Sequence, residues 1–202
     1  MTKKQILKDM QTAILFGLIF TIILSLSRFN ASCEDMRENI LRIHIIANSD
    51  SNTDQAVKLK VRDALLKECS ELFLNCNSLE IAEEKAKENT DNFKDISDRV
   101  LKENGFSYLS KAKIGKSFFD TREYKDFTLP AGYYNSLIIT LGKGDGHNWW
   151  CVIYPSVCIG GSGEKLDKSI SKKSSQIAEN PKKYKIKFKA VEIYEKLKKS
   201  RK

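Results

Sequence analysis

The sequence predicts an α+β fold: a mixed β-sheet with a long antiparallel helix pair, and a C-terminal strand and short helix returning to that sheet after a flexible linker. Three observations carry this. A strand-like segment at 41–48 precedes two long stretches of helical periodicity, three more strand-like segments follow between 107 and 154, and apolar–charged alternation resumes at Tyr184.

The chain opens with Lys3, Lys4 and Lys8 ahead of an unbroken apolar run at 13–26, AILFGLIFTIILSL. This is the layout of a basic region followed by an apolar export segment. Fourteen helical residues reach only about 21 Å, and extension back to Met10 gives about the minimum for a span. A cleavage site would use Ala31, but bulky Phe29 stands where a small residue is wanted, and Asn30 argues against lipid attachment at Cys33. Residues 1–32 are therefore expected to be either a signal peptide or an N-terminal membrane anchor, with everything after Arg28 exported.

Residues 41–48 (LRIHIIAN) alternate as a strand, with Leu41, Ile43, Ile45 and Ala47 on one face. A turn follows, and Ser51 with Asp54 three residues on has capping-box spacing. The stripe Val57, Val61, Leu65, Cys69, Leu72, Cys76 predicts a helix over 53–76. Asn77 and Glu80 mark a second start, and Leu79, Ala82, Ala86, Phe93, Ile96 and Val100 predict a helix over 79–104 ended by Gly105. Strands are predicted over 107–119, 134–141 and 148–154, with a mobile glycine-rich turn at 142–146. Residues 162–182 are Ser/Lys-rich and read as a polar linker. Tyr184, Ile186, Phe188 and Ala190 then alternate with Lys185, Lys187 and Lys189 as a strand, and Val191, Tyr194 and Leu197 continue as a short helix. The organisation is thus 1–32 for export, 33–161 as the globular domain, 162–182 as linker and 183–202 as a basic strand–helix completing the domain.

The formal charge of +9 is unevenly spread: +3 in residues 1–31, +9 in 164–202 and −3 in the body between them. A nucleic-acid binder concentrates its basic charge on a folded face. Here it sits at the two ends, so no nucleic acid is expected, and the basic tail is a candidate for contact with an anionic membrane.

His44, Ser49 and Asp50 invite a Ser–His–Asp reading, and His147 with Cys151 a thiol hydrolase. Neither pair comes with a nucleophile elbow or an electropositive setting for a thiolate. Turn and capping chemistry accounts for Asn48, Ser49, Asp50 and Asp54 more simply, and this turn is, together with the Trp149/Trp150 strand, a candidate surface for contact with a partner. An exported hydrolase using a Cys/His or Ser/His pair stays as the alternative. The chain has only two histidines and neither zinc-ligand spacing nor a complete G-x-x-x-x-G-K-[ST] loop, so no metal, cofactor or nucleotide is expected. Trp149 and Trp150 are adjacent in a strand and point to opposite faces, which makes the outward one, with His147 and Asn148 beside it, a candidate partner contact. Cys151 and Cys158 flank a turn at Pro155 and Ser156 that suits a disulfide.

The segments LRIHIIANSDSNTDQAVKLKVRDALL (41–66), LPAGYYNSLIITLGKGDGHNWWCVIYPSVC (129–158) and YKIKFKAVEIYEKLK (184–198) together resemble the stage II sporulation protein R family. That resemblance implies a protein made in the forespore and exported into the septal intermembrane space. It implies a partner as well, the membrane-bound sigma-factor-processing aspartic peptidase, and a role as activator of that peptidase with no catalytic residues of its own.

Overall fold

The computed structural model describes residues 2–74, 76–157 and 166–201. In chain order the elements are α1 (Lys3–Glu38), β1 (Leu41–Ile46), α2 (Asn52–Glu68), α3 (Ser70–Leu74), α4 (Leu79–Glu88), α5 (Thr90–Glu103), β2 (Ser110–Phe119), β3 (Arg122–Glu123), β4 (Thr128–Leu129), β5 (Gly132–Leu141), β6 (Asn148–Tyr154), a single 3₁₀ turn at Leu166–Lys168, α6 (Lys172–Glu179) and α7 (Pro181–Lys199). The main sheet has the order β2-β5-β1-β6, and β3 pairs only with β4. β1 runs parallel to β5 and antiparallel to β6, so the sheet is mixed, as the α+β reading requires.

Strand alternation divides the interior into two apolar layers. Leu41, Ile43 and Ile45 of β1, Leu137 and Ile139 of β5, and Cys151 and Ile153 of β6 meet Val57, Val61 and Leu65 of α2 and Phe93, Ile96 and Val100 of α5. The other face carries Val152, Tyr134 and Phe119 against Phe29, Cys33 and Met36 of α1, Ile177 of α6, and Phe188 and Val191 of α7. A central strand covered on both faces must bury its second side too, and β1 buries Arg42 and His44 there. Among the described residues Arg42 has no carboxylate partner. Its guanidinium lies between the rings of Phe119 (3.8 Å) and Tyr134 (4.8 Å), and Nη2 donates to the Tyr124 hydroxyl at 2.7 Å. Ring faces thus compensate part of the desolvation that an unpaired charge would otherwise carry.

Several expected elements differ. The two long helices are four. α2 ends at Cys69, whose N–H still reaches the Leu65 carbonyl, and α4 ends at Asn89, whose backbone and side-chain N–H groups both close on Lys85. Asn and Ser compete locally for backbone bonds, and that ends a helix even when the apolar stripe continues. The second start is capped by Ser78, which accepts from the Ile81 N–H, one residue later than expected.

The C-terminal strand is a helix. Pro181 stands at the first turn of α7, where its fixed φ and missing N–H suit a helix start. Tyr184, Phe188, Val191 and Glu195 recur at helical spacing, and the last three are buried. Ile186, which a strand would place beside Tyr184 and Phe188, is instead 86% exposed. Seven residues of alternation fit a strand, and packing of Phe188 and Val191 against α1 selects the helical period instead. The presumed linker is also partly structured: it holds the 3₁₀ turn and α6, whose N-cap Ser171 accepts from the Ser174 N–H. Its residues 162–165 lie outside the described residues.

α1 crosses the expected 32/33 boundary without a break. Its apolar portion is exposed, whereas Phe29, Ser32, Cys33, Met36 and Arg37 are buried in the domain. Arg37 donates to the Ala131 carbonyl at 2.8 Å and lies 3.7 Å from Glu195, fastening α1 to the start of β5 and to α7.

Candidate functional site

At the C-terminal end of β1, opposite the end where α1 joins it, two loops meet. The segment 47–51 leads into α2, and 142–147 joins β5 to β6. They are stitched by backbone bonds from Gly146 N–H to the Ala47 carbonyl (3.0 Å) and from Asp145 N–H to the Asn48 carbonyl (3.2 Å). The Asn48 side chain adds an acceptor for the Lys143 N–H at 3.0 Å. The glycines that read as a mobile turn are what allows this approach. A Cβ on Gly146 would stand 2.2 Å from the Ser49 carbonyl oxygen, and one on Gly142, which has a φ of +55°, would stand 2.2 Å from Asn48 Oδ1.

Asp54 is the hub of the junction. Its carboxylate accepts from the Ser49 hydroxyl (2.5 Å), the Asn48 amide (2.9 Å) and the Tyr108 hydroxyl (2.6 Å), while its own N–H is capped by Ser51 Oγ at 3.1 Å. Burial works against its charge, but the hydrogen bonds from Ser49, Tyr108, Asn48 and Ser51 outweigh that and hold its pKa below the usual carboxylate value. The Tyr108 hydroxyl shifts upward, chiefly through burial and then through this bond.

On the outer side, the exposed carboxylate of Asp50 accepts from the His147 N–H at 2.6 Å and contacts the His147 ring Nδ1. Those bonds hold the Asp50 pKa low. Beneath them Lys58, largely buried, donates to the His147 carbonyl at 2.9 Å and to Gln55 Oε1 at 2.5 Å. Burial lowers its pKa, opposed by the Asp50 charge.

The structure therefore brings Asn48, Ser49, Asp50, Asp54 and His147 into one assembly, with Asn148 exposed beside it. It separates the pairs on which a hydrolase would depend. The Ser49 hydroxyl is given to Asp54, while the His44 ring lies 3.2 Å from Ser117 Oγ. Cys151 is in a disulfide and has no thiol to activate. Cys158, its expected partner, lies outside the described residues. Among the described residues no cluster of His, Cys, Asp or Glu could hold a metal ion.

Neither tryptophan stands free on an outer face, because both faces of the sheet are covered. Trp149 is half-buried at the margin of the α2–α5 layer with the Arg62 guanidinium 5.3 Å over its ring. Trp150 packs against Phe119 and His44 (5.5 and 6.0 Å between ring centroids), and helices rather than a returning strand cover that side. Among the described residues β6 is the last strand of the sheet on that side. Sequence reasoning missed Gln55, Lys58 and Tyr108. Gln55 and Lys58 follow Asp54 on α2 and gave a local hint as polar positions one turn apart, whereas Tyr108 reaches the junction from the segment before β2 and gave none.

The architecture is an α+β domain carried on an apolar N-terminal helix long enough to cross a membrane, a layout that fits a signal sequence or an anchor. The chain belongs to the stage II sporulation protein R family, whose family model matches residues 37–164. It is 34% identical over 145 residues to Stage II sporulation protein R of Bacillus subtilis (strain 168), an alignment covering 69% of this chain and 65% of that relative. No solved structure matches it.

Proposed function

We propose that this chain is an exported sporulation signal that acts by contact, activating a membrane-embedded aspartic peptidase across the septum so that the mother-cell sigma-factor precursor is processed. Family membership supports the sporulation role. The single observation that carries a contact mechanism is the two-loop junction. It holds Asp50, His147, Asn148 and Trp149 at fixed positions at the start of β6, and its nucleophiles and bases are committed to structural bonds. Activation requires tighter binding to the active state of the partner than to its inactive state. A tenfold preference corresponds to about 1.4 kcal/mol, within reach of one half-buried Trp with a polar rim.

The packing of Phe29, Cys33 and Met36 further supports an N-terminal helix that is retained as an anchor. Cleavage after Ala31 would remove Phe29 from the layer it shares with Tyr184 and Phe188, whose rings lie 5.8 and 5.1 Å away. The test is Trp149→Ala combined with His147→Ala in sporulating cells, with precursor cleavage and the amount of exported protein measured together. Normal export with reduced cleavage is the expected result. Normal export with full cleavage would show that the junction is not the contact surface.

A further inference from the structure

Beyond the junction, the molecule carries a second concave feature at the opposite end of its functional geography. Between Asp9 and Arg28 the helix α1 has no charged residue, and this stretch is exposed to the surroundings. Eighteen helical residues rise about 27 Å, close to the hydrocarbon thickness of a bilayer. Arg28 therefore marks the level of the lipid headgroups. At that level α1, α6 and α7 enclose a cleft of about 380 Å³.

Its polar lining is one-sided in charge: Arg28, Lys173 and Lys187 stand beside the hydroxyls of Thr21 and Ser25, and among the described residues no carboxylate lines it. Its remaining walls are Leu24, Phe29, Ile177 and Tyr184. Lys187 is held in position, donating to Ser25 Oγ at 2.7 Å and lying within 6 Å of the Phe29 and Tyr184 rings. Cations converging at the headgroup level, with apolar walls continuous with the exposed surface of α1, fit one class of ligand. That ligand is a phosphodiester headgroup with an acyl chain attached. Arg28, Lys173 and Lys187 all lie outside the residues matched by the family model.

We propose that this cleft binds the phosphate of an anionic phospholipid, seating the domain against the bilayer surface. The inference rests on the reading that α1 is retained as an anchor. Each basic side chain near an anionic surface favours association about fivefold. Full-length protein in neutral detergent, offered equimolar phosphatidylglycerol and phosphatidylcholine with matched acyl chains, should retain the anionic lipid in clear excess by native mass spectrometry. The same spectrum gives the mass of the chain and so reports whether α1 is present. A truncated mass refutes the anchor, whereas an intact mass with equal retention of the two lipids refutes the cleft alone.

Arg28→Gln, Lys173→Gln and Lys187→Gln together should abolish the excess. Lys173→Glu alone, at an exposed site on α6, should reduce it severalfold without disturbing the fold. Lys111→Gln with Lys113→Gln, on distant β2, should leave it unchanged. An excess that survives the triple substitution overturns the proposal. Displacement of the lipid by millimolar inorganic phosphate would show that the cleft recognises a free anion, and would overturn the assignment to lipid.

Discussion

Replacing Asp54 with alanine withdraws one acceptor from three donors at once. A hydrogen bond to a charged group contributes about 1.5–3 kcal/mol when its partner cannot turn to water. The Tyr108 hydroxyl is only partly buried, so about half of the lower figure applies to it. Ser49 and Asn48 are half-exposed, so water replaces much of what they lose and each is assigned about half of that figure. The sum is about 2 kcal/mol, a sizeable fraction of the 5–15 kcal/mol typical of a whole domain. Ser51→Ala, which removes only the cap on the Asp54 N–H, should cost about 1 kcal/mol.

Urea unfolding of the full chain in mild detergent, followed by Trp fluorescence, measures both variants. If Asp54→Ala costs no more than Ser51→Ala, Asp54 is a cap and not the hub described above. The pH dependence has a definite sign as well. Because the folded-state pKa of Asp54 lies below its ordinary value, its contribution is complete above about pH 4 and is lost as pH falls through the folded pKa. Asp54→Ala should therefore flatten the acid limb of the stability curve.

His44 should act at higher pH. Burial, reinforced by the Arg42 charge and opposed by a bond with Asn148, lowers its pKa, so folding favours the neutral ring. Stability should be full above about pH 6.5 and decline as pH drops from there toward the folded pKa, and His44→Phe should remove that decline in equilibrium unfolding at stepped pH. Alkylation of the folded, unreduced protein should spare Cys151, and reduction should lower stability by roughly 2–3 kcal/mol if Cys158 closes the short loop expected from the sequence. Cys33 should resist alkylation in the folded protein, because burial pushes its thiol pKa up to about 12, and a rapid reaction there would mean that α1 does not pack as described. Phe29→Ala should destabilise the domain by about 3–4 kcal/mol, read by the same urea titration, and a neutral result would remove the packing argument for a retained anchor.

The elements that could be read in advance are those whose signal is local. Alternation in 41–48 and 134–141, the Ser51 cap and the left-handed Gly105 each need only a few neighbouring residues, and each is found where expected. What could not be read depends on partners remote in sequence. Arg42 and His44 lie on the second face of β1, and nothing nearby in the sequence shows that α1, α6 and α7 fold over them. The short alternation at Tyr184 is compatible with two periods, and only the distant Phe29 decides between them. At the junction the residues from 48–54 and 147–150 were identified as a group, yet their hub required Tyr108 and the bare backbone of Gly146, which carry no motif.

The continuity of α1 from its apolar stretch into the domain has a mechanical consequence. With the helix retained there is no slack between bilayer and domain, so the junction stands at a nearly constant height, and the molecule explores a plane instead of a volume. If the partner proposed above sits in a facing membrane, encounter with it then depends on how closely the two sheets of lipid approach each other. A rigid stalk of this kind measures the gap: at wide spacing nothing touches, however many copies are present, and contact begins only when the spacing falls to the reach of one domain.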